Sequence, residues 1–264
     1  MKDISELDRR SLVHIKMLSF DGDGVTKKIG TEFVKKSGKL ELKSYPPSDE
    51  MMDILVKLSK YFYINVNSGR SVEYLVDMFG RRDNFVYLGE IGMYRWVNSK
   101  KEANFELDAY EKETLEKIKQ KLATIKDGRV KGFEPKTYLV TFHCKAPVEG
   151  IEEVVDEIDV DNRIYCWWTG EAYDIGSKRI NKATGLVKLC EKLGIKMENV
   201  ATVGHGINDL DMLEAKVGVS ISTDADSAKA DFVTRGEEKG GLVVVKKILE
   251  LVKEDSDAHF IRSE

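Results

Sequence analysis

The chain of 264 residues sets 42 lysines and arginines against 46 aspartates and glutamates, and the resulting net charge of -4 argues against a surface built to grip nucleic-acid phosphates. With 42% hydrophobic and 33% charged residues it has the make-up of a folded protein, long enough for one core to be joined by a second, smaller one. No apolar run reaches the ~20 residues that cross a bilayer, and the charged stretch from Met1 to Arg10 lacks the apolar segment of a secretory signal, so a cytoplasmic protein with no membrane partner is expected.

The first strand signal is Ile15-Lys16-Met17-Leu18-Ser19-Phe20, which runs directly into Asp21-Gly22-Asp23-Gly24. Ser48 to Lys60 puts Met51, Met52, Ile54, Leu55 and Leu58 on a helical stripe behind a Pro46-Pro47-Ser48 start signal. A strand from Tyr61 to Val66 ends at Asn67-Ser68-Gly69-Arg70, followed by a helix over Ser71 to Phe79 and a strand over Phe85 to Leu88. Strand and helix alternating at these lengths predict a parallel sheet covered on both faces.

The pattern changes between Gly89 and Ile180. A charged helix from about Ala109 to Ala123, a strand at Thr137 to Cys144, a helix near Ile151 to Ile158 and paired strands at Arg163 to Trp168 and Ala172 to Ile175 predict an inserted α+β unit. The expected division is therefore a core of 1–88 and 181–264 with an insert of 89–180. Alternation then resumes with a helix over Thr184 to Leu193, a strand at Val200 to Val203 ending in Gly204-His205-Gly206, a helix at Leu210 to Ala215 and a strand at Val217 to Ile221. A short helix over Ser227 to Ala230, the pair Phe232-Val233, a helix over Leu242 to Val252 and a polar tail complete the reading. Cys144, Cys166 and Cys190 form no CxxC pair and read as free thiols.

Ligands of an open parallel sheet bind beyond the C-terminal ends of its strands, which groups Asp21, Asp23, Ser68, Gly69, Arg70, His205, Asn208 and Asp209 with Lys182 at a helix start. Such a set suits phosphoryl transfer. Asp21 attacks phosphorus, and Asp23 handles the proton. Ser68 and the Gly69 amide donate to phosphoryl oxygens, Lys182 balances charge, and a divalent ion such as Mg²⁺ offsets repulsion between two anions. Taken singly, each has a plain structural reading: an Asp-x-Asp turn, a helix cap, a surface lysine.

The order Phe20-Asp21-Gly22-Asp23-Gly24-Val25, Asn67-Ser68-Gly69-Arg70, Asn181-Lys182-Ala183-Thr184-Gly185 and Gly204-His205-Gly206-Ile207-Asn208-Asp209 resembles the four motifs of the haloacid dehalogenase superfamily, in its sugar-phosphate phosphatase branch. The resemblance spans about Ile15 to Val252. It implies an α/β fold, a Rossmann-like parallel-sheet core with an inserted type 2 α+β cap domain. It also implies Asp21 as nucleophile and metal ligand, Asp23 as acid/base whose carbonyl meets the metal, Ser68, Gly69 and Asn208 beside phosphate, Lys182 steadying Asp21, and Asp209 in the metal region.

Two positions depart from that pattern. His205 stands where the resemblance leads one to expect a metal-ligating aspartate, which disfavours Mg²⁺ and leaves Mn²⁺ or another divalent ion as the alternative. Val25 replaces a more usual threonine. On the cap side, Arg70, Trp168, Glu171 and Arg179 are the candidate substrate or closure contacts, and Trp167, Tyr173 and Asp174 fall in the same stretch. The expected activity is metal-dependent hydrolysis of a small phosphorylated sugar or related metabolite through an aspartyl phosphate. A phosphosugar mutase and a catalytically weakened phosphate-binding regulator are the other readings.

Overall fold

The computed structural model of the chain describes residues 1–36, 39–224, 229–235 and 240–253. Of the helix expected over Ser227 to Ala230, Ser227 and Ala228 lie outside these residues and Lys229 and Ala230 are not helical; the tail after Lys253 also lies outside them. In chain order the elements are β1 (Lys2–Asp3), β2 (Met17–Asp21), β3 (Thr31–Lys36), β4 (Lys39–Ser44), α1 (Asp49–Leu58), β5 (Tyr63–Asn67), α2 (Val72–Phe79), β6 (Phe85–Gly89), β7 (Tyr94–Val97) and β8 (Lys100–Ala103). There follow α3 (Ala109–Leu122), β9 (Val130–Phe133), β10 (Val140–Cys144), α4 (Ile151–Ile158), β11 (Ile164–Trp168), β12 (Ala172–Ser177), α5 (Lys182–Leu193), β13 (Val200–Gly204), α6 (Leu210–Leu213), β14 (Val219–Ser222), β15 (Phe232–Val233) and α7 (Gly241–Lys253).

The large sheet has the order β1-β15-β14-β13-β2-β5-β6-β7-β8, parallel from β1 to β6. Strand alternation explains its two faces. Leu18, Phe20, Ile64, Val66, Ala201 and Val203 point into the apolar layer under α1, α2 and α7. Met17 points to the other face, where it packs with Leu186 and Leu189 of α5. By the same parity Ser19 and Asp21 also face α5 and α6, so the last residue of β2 delivers a carboxylate to that side. The chain leaves β2 toward β5 on one flank and returns as β13 on the other, which makes the β2/β13 boundary the switch point where a crevice opens.

Residues 94–103, placed by the sequence reading inside the insert, join the large sheet instead. β7 runs antiparallel to β6 with Tyr87 opposite Trp96, and β8 completes a hairpin through Asn98 and Ser99, both with positive φ. The reversal is made at Glu90-Ile91-Gly92, all with positive φ, so the chain turns back along β6 before it departs. A second unexpected hairpin, β3–β4, follows the Asp23 turn.

The insert has its own sheet, β11-β12-β10-β9, and its own apolar cluster. β9 is an addition to the expected elements, because Val130-Lys131-Gly132-Phe133 has no clear alternation. Val140, Phe142, Cys144, Tyr173 and Ile175 face α3 and α4. The Glu90 carboxylate anchors the insert to the large sheet, accepting from the backbone N–H groups of Thr137, Tyr138 and Leu139 at 3.1 to 3.3 Å.

Among the described residues no helix is long and apolar enough to cross a membrane.

Candidate active site

Asn181 caps α5 by accepting from the Thr184 N–H at 2.8 Å, while Thr184 accepts from the Asn181 N–H. That cap puts Lys182 at the first helical position, over the α5 face of the sheet, and its side chain has no exposed surface. Lys182 Nζ donates to Asp21 Oδ1 at 2.5 Å and Asp209 Oδ1 at 2.6 Å, joining the end of β2 to the loop after β13. Asn67, opposite Asp21 in the β2–β5 register, donates to the Lys182 carbonyl at 3.0 Å.

Asp209 also accepts from the His205 and Gly206 N–H groups at 2.9 and 3.1 Å, so its second oxygen shapes the loop. Burial alone would push its carboxyl up, but Lys182, His205 and these amides hold it far below the carboxylate range. For Lys182 burial would lower the ammonium, and the carboxylates of Asp209 and Asp21 more than reverse that. A buried cation between two carboxylates is costly to desolvate, and it persists only because all three partners are present.

The His205 imidazole lies over Gly24, where a Cβ would come within 2.6 Å of the ring. His205 Nδ1 is 3.4 Å from Asp21 Oδ2 and 3.7 Å from Asp209 Oδ2. Asp209 first, then Asp21, raise its pKa to about 10. One ligand atom from each of Asp21, His205 and Asp209 falls within 4.8 Å of the others, an oxygen-nitrogen-oxygen set able to hold a divalent ion once the imidazole has given up its proton.

The Asp23 turn is closed by Thr26 and Lys27 N–H groups donating to the Gly22 carbonyl, both at 3.1 Å. It aims the Asp23 carboxylate at two cations: Arg70 Nε at 3.2 Å and the buried Lys27, which also donates to Ser44 at 2.6 Å. Burial would raise the Asp23 carboxyl, yet Arg70 and Lys27 hold it below its ordinary value. Ser68 is buried against Gly22, where an added Cβ would lie 2.9 Å from Ser68 Oγ.

Asp21, Asp23, Ser68, Arg70 and His205 line one pocket, whereas Lys182, Asp209 and Lys27 do not reach its surface. Asp21, Asp23, Ser68, Gly69, Arg70, His205 and Asn208 form its floor, with Ile29 and Ile207 beside them, and Glu134, Lys136, Thr141, His143, Glu171 and Asp174 of the insert form its roof.

The sequence pattern that defines the haloacid dehalogenase-like hydrolases matches residues 32–245. This chain belongs to that family. The matched stretch begins after Asp21 and Asp23. The phosphoglycolate phosphatase of Methanopyrus kandleri is 36% identical over 117 residues, 43% of this chain and 50% of that protein. The chain thus matches about half the length of that relative. A 5-amino-6-(5-phospho-D-ribitylamino)uracil phosphatase of Bacillus subtilis is 42% identical over 64 residues, 23% of this chain and 26% of that one. Among solved structures, the C-terminal domain of trehalose-6-phosphate phosphatase from C. albicans superposes with a TM-score of 0.66 at 18% identity, covering 94% of this chain and 97% of that one. A phosphatase of the haloalkanoate enzyme superfamily from Bacteroides thetaiotaomicron gives 0.65 at 17% identity, covering 94% and 99%. At such identities the structural matches establish the fold, a parallel-sheet core with a cap.

In this haloacid dehalogenase-like hydrolase the cap residues sort by strand parity. Thr141 pairs with Asp174 and His143 with Ala172 across β10 and β12, and all four face the pocket. Tyr173 faces the opposite way, into the cap cluster. Trp168 is its partner across β11 and β12, so Trp168 packs on the Tyr173 ring at 4.9 Å rather than lining the pocket. Arg179 is likewise engaged inside the cap, donating to the buried Glu111 at 2.7 and 2.8 Å. Glu171 and Arg70 do line the pocket. Glu134, Lys136, Thr141, His143 and Lys27 went unread in the sequence. The i, i+2 spacing of Thr141 and His143 among apolar residues was the available signal.

Proposed function

We propose that the protein is a phosphomonoesterase acting on a small phosphate ester. The observation that carries the reading is the Lys182 ammonium bridging Asp21 and Asp209 at the switch point, with Ser68 on the neighbouring strand end. Asp21 attacks phosphorus, the bond from phosphorus to the ester oxygen breaks, and Asp23, which must enter this step protonated although Arg70 and Lys27 favour its carboxylate, gives that oxygen its proton. Water then attacks the phosphorus of the aspartyl phosphate and yields its proton to Asp23. Inorganic phosphate leaves and the Asp21 carboxylate is restored.

Ser68 and the Gly69 amide donate to the phosphoryl oxygens, with Asn208 beside them, and Lys182 keeps Asp21 aligned while neutralising charge. A divalent ion, held by Asp21, His205 and Asp209 and meeting the Asp23 carbonyl, would offset the negative charge of the phosphate. The mixed donor set favours Mn²⁺ over Mg²⁺.

The cap is assigned to about 104–180, since β7 and β8 hydrogen-bond to the core sheet. Its roof alternates donors and acceptors, Lys136, Thr141 and His143 with Glu134, Glu171 and Asp174, which suits a hydroxylated leaving group such as a sugar or polyol. A panel of metabolite phosphates assayed with Mg²⁺, Mn²⁺ and Co²⁺ tests the reading. Release of phosphate from a sugar phosphate, abolished in Asp21→Asn, is the expected result; no release from any ester with any metal would overturn it. An isomerised phosphosugar in place of free phosphate would make the protein a mutase.

A further inference from the structure

Arg70 uses every nitrogen of its guanidinium, and its partners come from different parts of the chain. Nε donates to Asp23 Oδ2 at 3.2 Å, in the turn after β2. Nη1 donates to Glu134 at 3.2 Å, just after β9, and Nη2 to Glu171 at 3.3 Å, between β11 and β12. Nη2 also donates to Thr31 Oγ1 at 2.5 Å, at the start of β3. Thr31 in turn gives its N–H and hydroxyl to Glu171 at 3.0 and 2.8 Å. The Tyr74 ring lies 5.8 Å from the guanidinium carbon. The side chain is only 6% exposed, so solvent offers little to replace a lost partner.

A planar fork with fixed donor directions meets partners on three sides in one orientation. Glu134 is itself held by His143 at 3.0 Å and Lys136 at 3.4 Å, so the cap end of the chain of contacts is built rather than incidental. At the other end Asp23 has a second partner in Lys27, which donates to its other oxygen, Oδ1, and also reaches Ser44 of β4. With Arg70 withdrawn, Lys27 would draw the Asp23 carboxylate toward the hairpin.

We propose that Arg70 is a positioning residue through which the cap aims the proton-handling group: Glu134 and Glu171 orient the guanidinium, and the guanidinium orients Asp23. The inference rests on the phosphomonoesterase reading above. It makes the geometry of Asp23 conditional on the seating of the cap.

The test uses the full chain carrying Arg70→Lys, or Glu134→Gln with Glu171→Gln. Delivery of a proton matters most for a poor leaving group, so the kcat loss on an alkyl phosphate is expected to exceed that on an aryl phosphate by about tenfold, with KM within about twofold. Equal losses on both esters, the result of a merely structural role, overturn the proposal. Hydrogen exchange without substrate gives a second readout: Arg70→Lys is expected to lose amide protection both in 22–30 and in 169–172. Loss on one side alone, or on neither, also overturns it. A wild-type chain inert toward all esters would remove the proposed function, and the exchange result would still decide whether Arg70 ties cap to turn.

Discussion

Lys182 Nζ and Asp21 Oδ1 lie 2.5 Å apart in a site from which the lysine side chain has no exposed surface. Asp209 completes the arrangement at 2.6 Å. Removing the ammonium leaves two buried carboxylates without the cation that bridges them, with the His205 ring and, for Asp209, two backbone N–H groups as the remaining partners. Lys182→Met is therefore expected to lose about 3–5 kcal/mol of stability, the usual scale for breaking a buried pair from one side. Denaturant unfolding checks this, and adding Asp209→Asn to the same variant should restore part of the loss. A Lys182→Met protein as stable as the parent would show that the bridge is not what holds these elements together.

Gly92 and Gly185 bring the turn between β6 and β7 against the first turn of α5. A Cβ on Gly185 would sit 2.4 Å from Gly92 Cα, a backbone atom that cannot rotate away. Gly185→Ala should cost about 1–3 kcal/mol, as overpacking does. Gly128→Ala, where nothing lies within 4 Å, is the matched control and should change little. Thermal unfolding of the two variants side by side decides it, and equal midpoints would refute the close-approach argument.

Much of the floor of the site could be read from the chain because each residue follows an apolar strand, and a parallel sheet gathers its strand ends. Asp21, Ser68 and His205 stand at strand ends in this way, and Lys182 stands at a helix start. The cap was harder. Trp168 drew attention as an aromatic next to acidic residues, but its side is set by register, and the register pairs it with Tyr173 on the apolar face. Arg179 likewise carried no mark of its partner Glu111, which lies 68 positions earlier. The β7–β8 hairpin was missed because Lys100-Lys101-Glu102-Ala103 has no apolar periodicity; backbone pairing to the open edge of β6 places it. Pairing over long range is the information that local pattern lacks.

Glu111 offers a pH test away from the catalytic groups. Burial would raise its carboxyl, but donation from Arg179, from Ser177 at 2.6 Å and from the Asp108 backbone outweighs this and brings it from 4.5 to about 2. Because the folded carboxyl titrates below the unfolded one, its stabilisation is fully present above about pH 4.5 and disappears as pH falls through about 2. The contribution is on the order of 3 kcal/mol at most, reduced by the partial exposure of Arg179. Glu111→Gln should accordingly be less stable than the parent at neutral pH, with the gap closing in acid. A gap that stays constant from about pH 6 to 2 would mean that the ion pair contributes nothing.

His205→Asp tests the metal site. In the parent, Asp21 and Asp209 face two cationic or cation-forming groups, Lys182 and the imidazole whose Nδ1 is 3.4 Å from Asp21. Exchanging the ring nitrogen for a carboxylate removes one of them and supplies a hard anionic oxygen, which Mg²⁺ accepts more readily than nitrogen. The ratio of kcat/KM with Mg²⁺ to that with Mn²⁺ should therefore rise by about tenfold or more, a difference of about 1.4 kcal/mol. Titration calorimetry with each metal alone should move in the same sense, tighter for Mg²⁺ in the variant. An unchanged ratio, together with unchanged Mg²⁺ affinity, would place His205 outside the metal's coordination and leave its ring as packing over Gly24.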